Sequence, residues 1–156
     1  MSIFIYLLLI VFLLASAVTS AMETAFFSIS HYKVLNYRHD KDASKRRVYY
    51  LLQNPKQLLV TIIMLNIICN VLIQNFVSNL FGSFGWVLKV GLPLVLTLFI
   101  GEIIPKSLAL PNNVLISKRL SKFIMVVEKL LSPFRVFLTW ITNYVSRFLF
   151  FFLKKE

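Results

Sequence analysis

Glu23 and Glu102 are the acidic residues that stand inside stretches of chain otherwise apolar enough to cross a bilayer. A carboxylate in hydrocarbon is costly unless it has a partner, so each marks a candidate functional site. No basic residue stands beside Glu23 in the sequence, which makes a bound cation its expected partner. Around it, Ser16, Ser20, Glu23, Thr24 and Ser28 recur at three- and four-residue spacing, which on a helix confines them to one arc of roughly 140°. Asn66, Asn70 and Gln74 repeat every four residues and aim three amides along one face. A third polar group comprises Thr97, Gly101, Glu102 and Pro105. Pro105 has no N–H for the carbonyl four residues earlier, so Gly101 is expected to offer a freed backbone oxygen. The donors are carboxylates, hydroxyls, amides and a carbonyl, without imidazole or clustered thiolate; that set suits Mg²⁺, Ca²⁺ or an alkali ion better than Zn²⁺ or Cu⁺.

Each feature has a plainer reading. Membrane Ser and Thr commonly bond their own helix, and Asn glues helices together for about 1 kcal/mol or less. Glu102 could pair with Lys106 one turn later. Lys89 could serve Glu23 only across the membrane, since it belongs to the opposite face. The clustering of oxygen donors on three stretches carries more weight than any one of them.

The elements that must position these groups are membrane helices. With 58% hydrophobic residues and a mean hydropathy of +0.79, the chain lacks enough polar surface to coat a globule, and an all-α membrane protein is expected. At about 20 residues per crossing, the apolar runs predict three transmembrane helices per subunit, 3–30, 58–81 and 86–110. The net charge of +11 would suggest nucleic acid in a soluble domain. Here the basic residues follow the ends of the spans, so the expected partners are membrane lipids, with no nucleic acid. Lys33, Arg38, Lys41, Lys45, Arg46, Arg47 and Lys56 lie between the first two spans, and Lys106, Lys118, Arg119 and Lys122 follow the third. The positive-inside rule then puts the N-terminus outside and the C-terminus in the cytoplasm, with Lys89 reaching the outer interface along its apolar stem. A cleaved signal peptide is the competing reading of the start, from Ala15-Ser-Ala17, but a basic leading segment is missing and the apolar run continues to Ile29.

Amphipathic juxtamembrane helices are expected at about 33–54 and 112–153. Asn54-Pro55 ends the first of them and starts the second span. Within the second region Asn112 or Asn113 is the expected cap and Pro133 a divider. The run 134–153 is too interrupted by Arg135, Asn143 and Arg147 to cross. The one cysteine, Cys69, lies in the second span and reads as a packing residue. An enzyme is not expected, because no nucleophile, base and orienting group converge at readable spacing. His31 and His39 read as residues facing water or headgroups.

Three strings carry a family resemblance: Glu23-Thr-Ala-Phe-Phe-Ser28-Ile-Ser30, Asn66-Ile-Ile-Cys-Asn70-Val-Leu, and Gly101-Glu-Ile-Ile-Pro-Lys-Ser107. In that order, and over nearly the whole chain 1–156, they resemble the transmembrane domain of the CNNM/CorC (cyclin M-like) magnesium transporter family. The resemblance implies a homodimer that carries Mg²⁺ through an intramembrane site by Na⁺-coupled export; alternating access around that cation, in a multi-pass protein of the plasma membrane, is the mechanism expected to go with it. Its implied metal ligands are Ser20 and Ser28 from the first span, Asn66 and Asn70 from the second, and Gly101 and Glu102 from the third, with Glu23 matching the acidic position of the first motif. Many relatives read Ser-Gly-Ser-Glu where this chain reads Ser20-Ala-Met-Glu23, without the glycine and the second serine. Relatives usually continue into cytosolic CBS domains, which are absent through Glu156, and no nucleotide site is expected here. The rival expectation is a non-transporting membrane scaffold or Mg²⁺-sensing regulator whose polar seams only join helices.

Overall fold

The structure, a computed structural model, describes residues 2–81, 85–134, 136, 137, 140, 141 and 144. Among them there is helix and no strand. Among the described residues three stretches are long and apolar enough to cross a membrane, Ile3–Phe27, Pro55–Leu80 and Lys89–Ala109. At most 28% of the apolar window in any of them is buried, so most of each surface is left for lipid or another protein.

Helix α1 (Ser2–Phe27) is the central element. It packs against both α4 (Pro55–Phe81) and the third span. The small residue Ala25 is fully buried on it, which lets a neighbouring helix come close. One apolar cluster, Leu9 with Ile73 and Val77, joins α1 to α4 near the start of the chain. A larger one extends from Met22 and Phe26 through Leu58 and Ile62 into the juxtamembrane helices at Val48, Leu51 and Ile124.

The third span is not a uniform helix. It runs as α5 (Trp86–Leu96), a π-helical segment (Thr97–Ile103) and α6 (Ile104–Ala109). Two prolines explain much of this. Pro93 cannot donate to the Lys89 carbonyl, and Gln74 of α4 supplies the missing donor through Nε2 at 3.4 Å. Before Pro105 the chain widens by one residue, and the Ile104 amide reaches back five residues to the Phe99 carbonyl. The expected freed carbonyl at a kink is thus answered by a π turn, a device found often at functional sites.

The juxtamembrane region departs from the single helix expected over 33–54. It forms α2 (His31–Asn36), a 3₁₀ turn (Tyr37–His39) and α3 (Ala43–Gln53). Two aspartates cause the break. Asp40 accepts a bond from its neighbour's amide at Asp42, 2.9 Å, and the Asp42 carboxylate caps α3 by accepting from the Ser44 amide at 2.8 Å. Such local side-chain bonds give the backbone an alternative to the helix. The helix α7 (Asn113–Leu130) starts at the expected place. Neither asparagine caps it through its side chain: Asn112 donates to the Leu108 carbonyl and Asn113 to Ser28. The expected segment 134–153 lies largely outside the described residues, as do 82–84 of the hairpin between the second and third spans.

Candidate metal site

The polar residues of the spans meet where α1, α4 and the π segment pack together. Ser16 is fully buried, and its Oγ lies 3.0 Å from Oδ1 of Asn66 and 3.0 Å from Oδ1 of Asn70. One hydroxyl carries one proton, so it can satisfy only one of the two amide oxygens at a time. Thr19 Oγ1 stands 3.3 Å from the same Asn66 oxygen, but its closer acceptor is the Ser16 carbonyl at 2.8 Å. The cluster therefore holds more oxygen lone pairs than protons to fill them.

Gly101 is the contribution of the third span. A Cβ built there would stand 2.9 Å from Ser16 Oγ, closer than side-chain contacts allow. Only a glycine permits the π segment to lie against Ser16 in this way. One turn along α1 from Ser16, Ser20 is also fully buried, and its Oγ has no hydrogen-bond partner among the described residues. An orphaned buried hydroxyl is uncommon in a packed interior and calls for an explanation such as an ion or a water.

Of the residues expected from the sequence, Asn66, Asn70 and Gly101 come together here, with Ser20 a turn away. Glu102 follows Gly101 in the π segment; its side chain is half-buried and makes no ion pair or hydrogen bond among the described residues. Ser28 is placed elsewhere. It lies beyond the end of α1, where Asn113 Nδ2 donates to both its carbonyl and its hydroxyl at 3.1 Å. Twelve residues of helix separate it from Ser16, about 18 Å. Two residues of the cluster were not among the expected ligands. Ser16 belongs to the polar seam of the first span, and Thr19 lies outside that seam's spacing; the signal for both was their proximity in sequence to Ser20.

Glu23 requires a correction. It does have a basic partner, since Lys106 Nζ lies 3.3 Å from Glu23 Oε2, with both side chains about a third exposed. On a regular helix Lys106 would sit on the Glu102 face, but one extra residue in a π turn shifts the phase of the residues downstream by about 100°. Lys106 is turned towards α1 instead of Glu102.

The sequence matches a known kind of domain. The model of the cyclin M transmembrane N-terminal domain matches residues 7–156. The chain belongs to the cyclin M (CNNM) family. At 29% identity over 146 residues it is similar to the "Metal transporter cnnm-4" of Caenorhabditis elegans, with 88% of this chain and 31% of that protein covered. This CNNM chain thus spans less than a third of that relative's length. Among the described residues no group of three or more His, Cys, Asp or Glu is placed to hold a metal. The oxygen atoms that the described part of this CNNM domain does bring together, those of Ser16, Asn66 and Asn70, are neutral.

Proposed function

We propose that this CNNM domain carries Mg²⁺ across the membrane through a site formed by Ser20, Asn66, Asn70, the Gly101 backbone and Glu102, with Ser16 and Thr19 lining it. The observation that carries the reading is the surplus of oxygens between the first two spans beside Gly101 of the third, the half-buried amides of Asn66 and Asn70 around Ser16 together with the orphaned Ser20 hydroxyl. Mg²⁺ prefers six oxygens at about 2.0–2.1 Å and gives up water reluctantly, so hydroxyl and amide oxygens would stand in for part of its hydration shell. Glu102, next to Gly101, would supply the charge. The π segment beside it is an element whose hydrogen bonds can shift register, which suits a site that must open to either side.

Coupling to Na⁺, the export direction, assembly as a homodimer and residence in the plasma membrane with the C-terminus in the cytoplasm belong to the same proposal. They are supported by the family membership, by the basic residues that follow the spans and by the large apolar surface left on them. Mg²⁺ flux into or out of sealed vesicles, with and without a Na⁺ gradient, tests transport directly. No flux in a folded protein would favour the scaffold or regulator reading. Glu102→Gln should abolish Mg²⁺-dependent thermal stabilisation in detergent. Stabilisation equal to wild type would remove Glu102 from the site.

A further inference from the structure

Lys106 occupies an unusual place for a membrane lysine. It leaves the third span one turn after Glu102, yet its ammonium group lies against Glu23 of α1 at 3.3 Å. On α1, Ser16, Ser20 and Glu23 follow one another at helical spacing. The Glu23–Lys106 pair is therefore the next polar layer after the buried cluster, on the side of the juxtamembrane helices. An ammonium and a metal ion compete for the same carboxylate oxygens and repel each other across any low-dielectric gap.

We propose that Lys106 is a tethered counter-ion that holds down the affinity of the site for a divalent cation and so keeps the cation releasable. This rests on the metal-site reading above and adds a specificity-determining residue to it. Taken together, the empty site and this adjoining layer, with Glu23, Glu102 and Lys106 all charged, carry one net negative charge. A divalent cation turns that into one net positive charge, which a membrane interior disfavours. Without Lys106 the empty site would carry two negative charges and the loaded site none. A cation would then bind tightly and leave slowly. A simple structural role for the ion pair predicts the opposite: losing Lys106 would leave Glu23 unpaired and loosen the packing that forms the site.

A charge cycle on the purified protein separates these. Mg²⁺ affinity is read by calorimetric titration and by the shift of the melting temperature, for wild type, Lys106→Met, Glu23→Gln and the double variant. The expected order is Lys106→Met tightest, by roughly three- to tenfold over wild type. The double variant should lie near wild type because its net charge is the same, and Glu23→Gln should be weakest. Lys106→Arg, which keeps the charge, should bind as wild type does. Affinity in Lys106→Met equal to or below wild type would overturn the proposal, as would a double variant no tighter than Glu23→Gln. If Lys106→Met does not fold, the comparison of Glu23→Gln with the double variant still decides, since neither leaves a lone carboxylate at position 23. A wild type without any Mg²⁺ response would defeat the metal-site reading and this one together. A responsive wild type with an unchanged Lys106→Met defeats this one alone.

Discussion

Two regions of this protein use polar side chains to join helices, and they do it with opposite chemistry. Between the spans, Ser16 and Thr19 of α1 meet Asn66 and Asn70 of α4 in neutral contacts at 3.0 to 3.3 Å. In the juxtamembrane layer, charges do most of the joining: Asp42, at the start of α3, pairs with Lys118 of α7 at 2.6 Å, and Arg47 of α3 donates to Ser121 of α7 at 3.2 Å. The reason is solvent. Near water a charge costs little to keep and contributes little, whereas in hydrocarbon it must be neutralised. Glu23 and Lys106 stand at the border and share features of both layers, an ion pair that is neither buried nor free.

The contrast is most easily broken at Gly101. Gly101→Ala would push a methyl group into Ser16 Oγ, and either the Ser–Asn bonds break or the π segment moves off α1. We expect a loss of about 1–3 kcal/mol from overpacking, together with loss of the Mg²⁺ response, both visible in melting curves with and without Mg²⁺. Ser16→Ala comes next. It removes the hydroxyl that faces both half-buried asparagine oxygens and should cost about 1 kcal/mol. Because the lost proton donor also frees the two oxygens, the stability deficit should shrink when Mg²⁺ is added. A deficit that ignores Mg²⁺ would show that the amides serve only as helix glue.

The smallest effect is expected in the charged layer, and it should depend on pH. Lys118 and the Ser44 amide hold the Asp42 carboxyl down at about 2, below its usual 3.8. The folded protein thus binds this proton less readily than the unfolded chain does. The stabilisation is complete above about pH 4 and is lost as pH falls towards 2. Asp42→Asn should flatten that part of the melting temperature against pH and leave Mg²⁺ binding unchanged. If Asp42→Asn alters Mg²⁺ binding, the two layers are coupled and the division drawn between them fails.

Much of the architecture was legible because a bilayer leaves few options. Apolar runs of spanning length become helices, since no other open structure satisfies the backbone in lipid. The described spans begin and end within a few residues of the expected ones. The juxtamembrane break was less legible, because two aspartates acting on local amides outweighed the helical pattern around them. Asn66, Asn70 and Gly101 could be named from spacing and motif. Ser28 could be named too, but its position just past the end of α1 places it with Asn113 and outside the cluster.

By itself the sequence determined the helical class, the three crossings, the oxygen-only character of the candidate ligands and the strings that mark the cyclin M family, because composition and periodicity act locally and survive any packing. The tertiary structure alone decided which oxygens meet, that Ser20 is left without a partner among the described residues, and that Lys106 faces Glu23 instead of Glu102. Those outcomes depend on the phase of one helix against another. A single added residue in the π turn resets that phase, and no residue count along the chain reveals it.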